Sequence, residues 1–207
     1  MSLETRLAEE RARRAGSAPL QAAIRDVLET LARGGALDGA LTPGEAFPDF
    51  LLPDAEGRLV ARDALPSAFS VSFLRGGWCP YCSATLEALG AVAGRAADAG
   101  ARLVAVTPET GGLALNMKRA HAPGVTVLSD VDSGLAAACG VLYRIPDSYR
   151  TLLSGYGIDL AARQGNAAWI LPVPATFVVR EGRVTWRHLD ANFTRRAEPE
   201  DILRALA

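Results

Sequence analysis

Between Ser67 and Gly140, short β-rich runs and helical stretches take turns along the chain, and that alternation constrains the fold more than any other feature. Ser70-Val71-Ser72-Phe73-Leu74 reads as a buried strand, residues 79–99 as a helix, and Arg102-Leu103-Val104-Ala105-Val106 as a strand. A helix over 109–121, a strand at Val125-Thr126-Val127-Leu128 and a helix over 132–139 follow. Strands separated by helices need crossover connections, which makes this part of the sheet parallel. Further on, Ala175-Thr176-Phe177-Val178-Val179 and Val184-Thr185-Trp186-Arg187 flank Glu181-Gly182 and read as an antiparallel hairpin. Residues 143–171 are less regular and read as an inserted helix and loop. Pro199 to Leu206 reads as a closing helix, with proline in the first position it tolerates. The expected class is α/β, with a mixed central sheet flanked by helices.

The first 40 residues differ. They are rich in Ala, Leu, Glu and Arg, and Leu3, Leu7, Leu20, Ile24, Val27, Leu28 and Leu31 recur at helical spacing around a break at Gly16-Ser17-Ala18-Pro19. Two helices, near 2–15 and 19–33, are expected to form an N-terminal arm, used for packing or as the contact of a homodimer. Residues 41–207 form the main domain. It opens on Phe50-Leu51-Leu52 and Arg58-Leu59-Val60, a hairpin around Asp54-Ala55-Glu56-Gly57.

Composition excludes several classes. The 22 basic and 23 acidic residues leave a net charge of −1, so there is no electrostatic footprint for nucleic acid or an anionic membrane surface. No run approaches the ~20 apolar residues of a membrane span. The opening MSLETRLAEERARR lacks the apolar region of a secretory signal, so a cytoplasmic protein is expected. Three cysteines do not make a disulfide scaffold. All but one of the 22 basic residues are arginines, so Lys118 alone could serve lysine chemistry.

The informative segment is Phe73-Leu74-Arg75-Gly76-Gly77-Trp78-Cys79-Pro80-Tyr81-Cys82. A strand runs into a Gly-Gly turn, and a helix begins at Cys79-Pro80. Cysteines three apart in a first helical turn share a face. They also sit where free N–H groups and the positive end of the helix dipole favour a thiolate. Arg75 adds positive charge, and Gly76 and Gly77 leave room for a substrate backbone to approach. A structural zinc site would need two more ligands, and Cys139, His121 and His188 stand at no metal-binding spacing. Haem attachment would need histidine where Ser83 stands. Redox chemistry is the favoured reading, and the expectation is that both sulfurs are accessible. Cys139 ends an apolar helix and reads as a small buried hydrophobe, with a resolving thiol as the alternative. Pro174, in Leu171-Pro172-Val173-Pro174-Ala175-Thr176-Phe177, heads a strand. A cis Val173–Pro174 bond would set the Val173 backbone beside the cysteines.

These residues resemble the peroxiredoxin-like branch of the AhpC/TSA family, of thioredoxin-like fold, over about residues 41–206. Gly44-Glu45-Ala46-Phe47-Pro48-Asp49-Phe50, with Leu52-Pro53-Asp54 and Gly57, is similar to that family's opening hairpin. Arg75 to Cys82 resembles the signature of the branch, and Leu128-Ser129-Asp130 the end of a central strand. Pro174 to Val179 resembles the strand after the cis-proline of thioredoxin-like proteins, and Phe193 to Pro199 the segment before the last helix. The main peroxiredoxin pattern is Pro-x-x-x-Thr-x-x-Cys. On that spacing Cys82 takes the peroxidatic position, Cys79 replaces the threonine and Arg75 the proline.

The resemblance implies a thiol-dependent antioxidant enzyme that reduces hydroperoxides. Its pair would cycle through thiolate, sulfenic acid and disulfide, and thioredoxin or a glutaredoxin-like dithiol would reset it. Cys82 and Cys79 are the catalytic candidates, with Arg75, Gly77, Trp78, Val173 and Pro174 as substrate-binding residues and no cofactor or metal. Family spacing makes Cys82 the attacking sulfur, whereas thioredoxin logic makes it Cys79. Two rival readings stand beside this one. The first is a protein-disulfide reductase that lays a client peptide beside Val173. The second is a binding or regulatory module that kept the fold and lost turnover.

Overall fold

The computed structural model describes residues 2–35, 37–110 and 112–207. Its centre is a five-stranded sheet of β3 (Ala68–Phe73), β4 (Arg102–Thr107), β5 (Thr126–Ser129), β8 (Ala175–Arg180) and β9 (Arg183–Leu189), in the order β5-β4-β3-β8-β9. The pairs β3–β4 and β4–β5 are parallel, and β3–β8 and β8–β9 antiparallel, so the mixed sheet is as expected. The opening hairpin is present as β1 (Leu51–Pro53) and β2 (Leu59–Ala61).

Strand periodicity places the two cores. Phe69, Val71 and Phe73 of β3 join Val104, Val106, Phe177 and Val179 on one face of the sheet, where α5 (Gly134–Ala138) packs through Leu135 and Ala136. Leu103, Ala105, Val127 and Val178 face the other way. That face is covered by α3 (Pro80–Asp98), α4 (Leu113–His121) and α8 (Pro199–Leu206). Ser70 and Ser72 are buried on this second face, and the Ser72 hydroxyl hydrogen-bonds Thr176 at 2.9 Å. Gly111 lies outside the described residues, within the helix expected over 109–121. The residues after it begin α4 at Leu113.

The stretch expected to be a helix and loop is more ordered than its sequence suggests. β6 (Leu142–Arg144) and β7 (Ile170–Pro172) pair antiparallel and close a unit holding α6 (Asp147–Gly155) and α7 (Leu160–Gln164). The three-residue strands are too short to show a period.

The arm forms α1 (Leu3–Arg14) and α2 (Ala18–Arg33), each N-capped by a serine, Ser2 and Ser17. α1 packs on α3 and α2 on α6. Leu3, Leu7, Val27 and Leu31 join the core that contains the cysteine pair. The first two N–H groups of α1, at Leu3 and Glu4, donate to the Glu198 carboxylate at 3.2 and 2.6 Å. Among the described residues no helix is long and apolar enough to cross a membrane.

Leu7 is fully buried between arm and core. Leu7→Ala should cost about 2–4 kcal/mol, the usual penalty for emptying such a position. Denaturant unfolding of the full chain should show it as a lower midpoint in one shared transition, because the arm and the main domain share that core.

Candidate active site

β3 ends at Phe73, and the Leu74 N–H still donates to Val106 at 2.8 Å before the chain leaves the sheet. The next turn is fixed by Gly76, at φ 140°. A Cβ there would meet the Trp78 indole at 2.6 Å and the Glu109 carboxyl carbon at 2.8 Å. The room expected for a substrate backbone is therefore filled by the protein's own side chains. The Gly77 N–H donates to Glu109 Oε2 at 2.7 Å. The opposite oxygen of Glu109 accepts from Arg163 of α7 at 2.6 Å. Glu109 is buried and clamps the turn from the end of β4.

Cys79 is the N-cap of α3, with Pro80 in the first turn as expected. Its carbonyl accepts from the N–H groups of Cys82 and Ser83. Both sulfurs are free thiols and both are fully buried, so the expected accessibility is not observed. The reason is local. The first turn of α3 is closed over by Arg75, Trp78 and Phe193, and sequence spacing does not report such a cover.

Arg75 organises the site. Its Nη2 donates to Cys79 Sγ at 3.1 Å, its Nη1 to the Tyr149 hydroxyl of α6 at 2.8 Å, and its backbone N–H to Cys82 Sγ at 3.3 Å. The guanidinium carbon lies 3.8 Å from the Phe193 ring centre and 5.0 Å from that of Trp78. Such desolvated cation–π contacts are worth about 2 kcal/mol. A second buried guanidinium, Arg196, approaches Cys82 Sγ at 3.9 Å through Nη2. Neither arginine has a carboxylate partner among the described residues.

The two sulfurs are driven apart in acidity. Burial acts to raise the Cys79 thiol. The hydrogen bond from Cys82 and the charges of Arg75 and Arg196 outweigh it and hold Cys79 well below the ordinary cysteine value. Burial, the hydrogen bond to Cys79 and the charge of Cys79 push Cys82 well above it. Cys79 is therefore the more readily ionised of the two and Cys82 the more firmly protonated. Burial also keeps the Tyr149 phenol neutral. Cys139 lies in the opposite core and is pushed up to about 12 by burial, as befits a small hydrophobe.

Of the residues expected to bind substrate, Arg75 and Trp78 lie at the sulfurs. Gly77 has its N–H occupied by Glu109. Val173 and Pro174 are buried, the Val173 N–H donates to Val141 at 2.6 Å, and all peptide bonds among the described residues are trans. The cis expectation is thereby corrected. The trans form is the intrinsically favoured one by about 0.5–1 kcal/mol, and the chain here is tied to Val141. The sequence missed Phe193, Arg196, Tyr149 and Glu109. Arg195 and Arg196 look alike as a doublet, yet Arg195 is 64% exposed and Arg196 9%. His121 Nδ1 is within 2.7 Å of a Glu87 carboxylate oxygen, far in function from the sulfurs. Among the described residues no group of three or more His, Cys, Asp or Glu could hold a metal ion.

A cavity of about 500 Å³ opens in front of the helix start, with Arg75, Trp78 and Pro80 along its floor.

A buried cysteine pair thus stands at a helix start on a sheet of thioredoxin-like order. The AhpC/TSA family model matches residues 43–187, and the chain belongs to that family of thiol peroxidases. Solved structures share the fold. Peroxidoxin BcpB from Mycobacterium tuberculosis is 19% identical, with 80% of this chain and 96% of that one covered, at a TM-score of 0.60. AhpC from Mycobacterium tuberculosis is 18% identical over 81% and 92%, at 0.60. Reduced Prx3 from Vibrio vulnificus, determined in complex with hydrogen peroxide, is 16% identical over 81% and 99%, at 0.63. No curated protein matches the sequence.

Alkylation of the reduced protein by iodoacetamide should be flat across the neutral range, where an ordinary thiol of pKa about 8.5 loses tenfold per pH unit. In Arg75→Met the profile should climb with pH like that of an ordinary or a buried thiol, measured by the mass of the labelled peptide containing Cys79.

Proposed function

We propose that the chain reduces hydroperoxides through Cys79 and Cys82, with Cys79 as the attacking sulfur. One observation carries this: the Arg75 guanidinium donates to Cys79 Sγ, not to Cys82 Sγ, at 3.1 Å. The peroxidatic position of family spacing falls on Cys82, whose thiol burial and Cys79 push up. The departure follows from the exchange of threonine for Cys79 and of proline for Arg75.

In the first step the Cys79 thiolate attacks the distal peroxide oxygen. The O–O bond breaks, Cys79 becomes a sulfenic acid, and the departing alkoxide takes a proton from solvent to leave as alcohol. The guanidinium of Arg75, bonded to Cys79 Sγ, supports this reading as a group that can stabilise that developing charge. Cys82 then attacks the Cys79 sulfur, its proton joins the expelled hydroxide as water, and a 79–82 disulfide forms. The sum is one thiolate, one thiol, one hydroperoxide and one proton from solvent giving a disulfide, an alcohol and water. An external dithiol, thioredoxin or a glutaredoxin-like protein, returns two electrons by exchange.

The enclosure of both sulfurs favours this reading over the reduction of client disulfides. A small peroxide needs far less room at the covered sulfurs than a peptide does. A client peptide would need a free backbone edge, and the Val173 N–H is already bonded.

Stopped-flow mixing with hydrogen peroxide tests the assignment. Cys79→Ser should abolish the fast phase. Cys82→Ser should keep it and stop at a sulfenic acid on Cys79, trapped by dimedone and read by mass spectrometry. A fast phase in Cys79→Ser, with the sulfenic acid on Cys82, would reverse the roles.

A further inference from the structure

Each sulfur of the pair has a guanidinium of its own. Arg75 Nη2 donates to Cys79 Sγ at 3.1 Å, and Arg196 Nη2 stands 3.9 Å from Cys82 Sγ. The first arginine follows β3 and the second precedes α8, so the two are delivered independently. Attack on the peroxide, as derived above, uses Arg75 and gives Arg196 no part.

A buried guanidinium is costly unless acceptors meet it. Those found for Arg196 occupy one nitrogen. Its Nη1 donates to the carbonyls of Phe193 and Arg195, whereas its Nε has no acceptor among the described residues. Its Nη2 has the Cys82 sulfur. The two backbone carbonyls account for a structural role in the segment before α8. They do not account for the placing of the remaining charge against a thiol.

Cys82 Sγ also accepts the Arg75 backbone N–H at 3.3 Å. Both donors suit an anionic sulfur, yet in the reduced pair Cys82 is the more firmly protonated one. Three causes push its thiol up: burial, the hydrogen bond to Cys79 and the charge of Cys79. The last two act through a thiolate at Cys79 and end once that sulfur is a sulfenic acid. The charges of Arg196 and Arg75 remain, and they pull the Cys82 thiol down.

We propose that Arg196 is a catalytic residue of the second step, the group that makes Cys82 a nucleophile once Cys79 has been oxidised. The proposal rests on the reading of Cys79 as the attacking sulfur and Cys82 as its partner. In this step Cys82 supplies the electron pair of the new S–S bond, and the S–O bond of the sulfenic acid breaks. The Cys82 proton joins the expelled hydroxide as water. Arg75 serves the first step and Arg196 the second.

The test follows both steps after mixing the reduced full-length protein with hydrogen peroxide. Dimedone trapping reads the sulfenic acid, and the mass of the 79–82 disulfide reads its resolution. Both arginines bear on both sulfurs, so the ratio of the two rate constants is the readout. Arg196→Met removes the charge and should slow disulfide formation about tenfold more than sulfenic acid formation, because the ionised fraction of Cys82 falls with its acidity. More dimedone adduct should then collect on Cys79. Arg75→Met should move the ratio the other way. Arg196→Gln keeps a donor for the two carbonyls without the charge, and should act like Arg196→Met.

The charged or titratable groups that bear on Cys82 are Cys79, Arg75, Arg196 and the Tyr149 phenol of α6. In the wild type the second rate constant should change little over the neutral range. In both Arg196 variants it should climb about tenfold per pH unit, as for an ordinary thiol below its pKa. A purely structural arginine would not move that slope. Thermal melts report which variants are folded. If the folded Arg196 variants keep the wild-type ratio and pH profile, the assignment of Arg196 is wrong and the reading of the pair stands. If the wild-type adduct forms on Cys82 instead of Cys79, that reading falls and takes the proposal with it.

Discussion

Two guanidinium groups buried beside two sulfurs, with no carboxylate partner among the described residues, set the terms for the whole site. Removing a cation from water is expensive unless an anion or dense hydrogen bonding compensates it. Here the group that answers this need is Cys79, whose thiol is held well below the ordinary value. Arg75 is further held by Tyr149 and stacked on Phe193, and Arg196 is held by backbone carbonyls, Phe193 among them. An ionised Cys79 would serve both guanidiniums as a counter-charge and so hold the closed arrangement together.

Four separate parts of the chain deliver this cluster. The end of β3 supplies Arg75 and the turn, and the start of α3 supplies the sulfurs. The 142–172 unit brings Tyr149 on α6 and Arg163 on α7, the latter acting through Glu109. The segment before α8 brings Phe193 and Arg196, shaped by Asn192, whose side chain accepts from the Thr194 N–H and hydroxyl. The arm then covers the result. The family fold alone accounts for the sulfurs and the sheet. The surroundings that polarise and enclose them come largely from parts with weak sequence patterns.

That division explains what could be read from the sequence. Strands β3, β4, β8 and the long helix α3 were legible because their periods are clean and Gly or Pro marks their ends. The Cys79 N-cap was legible because proline follows it. Burial of the sulfurs was not, because it depends on Phe193, more than 100 positions away, and on an arginine that replaces the family proline. Tyr149 lay in a stretch with no regular period. Glu109 looked like any loop carboxylate, yet its partners are a backbone N–H and an arginine from distant elements. Arg196 could have been singled out only by knowing which member of a doublet turns inward.

Glu198 occupies a position whose effect reaches beyond its own helix. It is the N-cap residue of α8, while its carboxylate receives the first free N–H groups of α1. Two positions before it stands Arg196, which touches Cys82. With Arg11 of α1, which donates to the Thr194 carbonyl, Glu198 ties the arm to the segment that sets a guanidinium beside the cysteine pair.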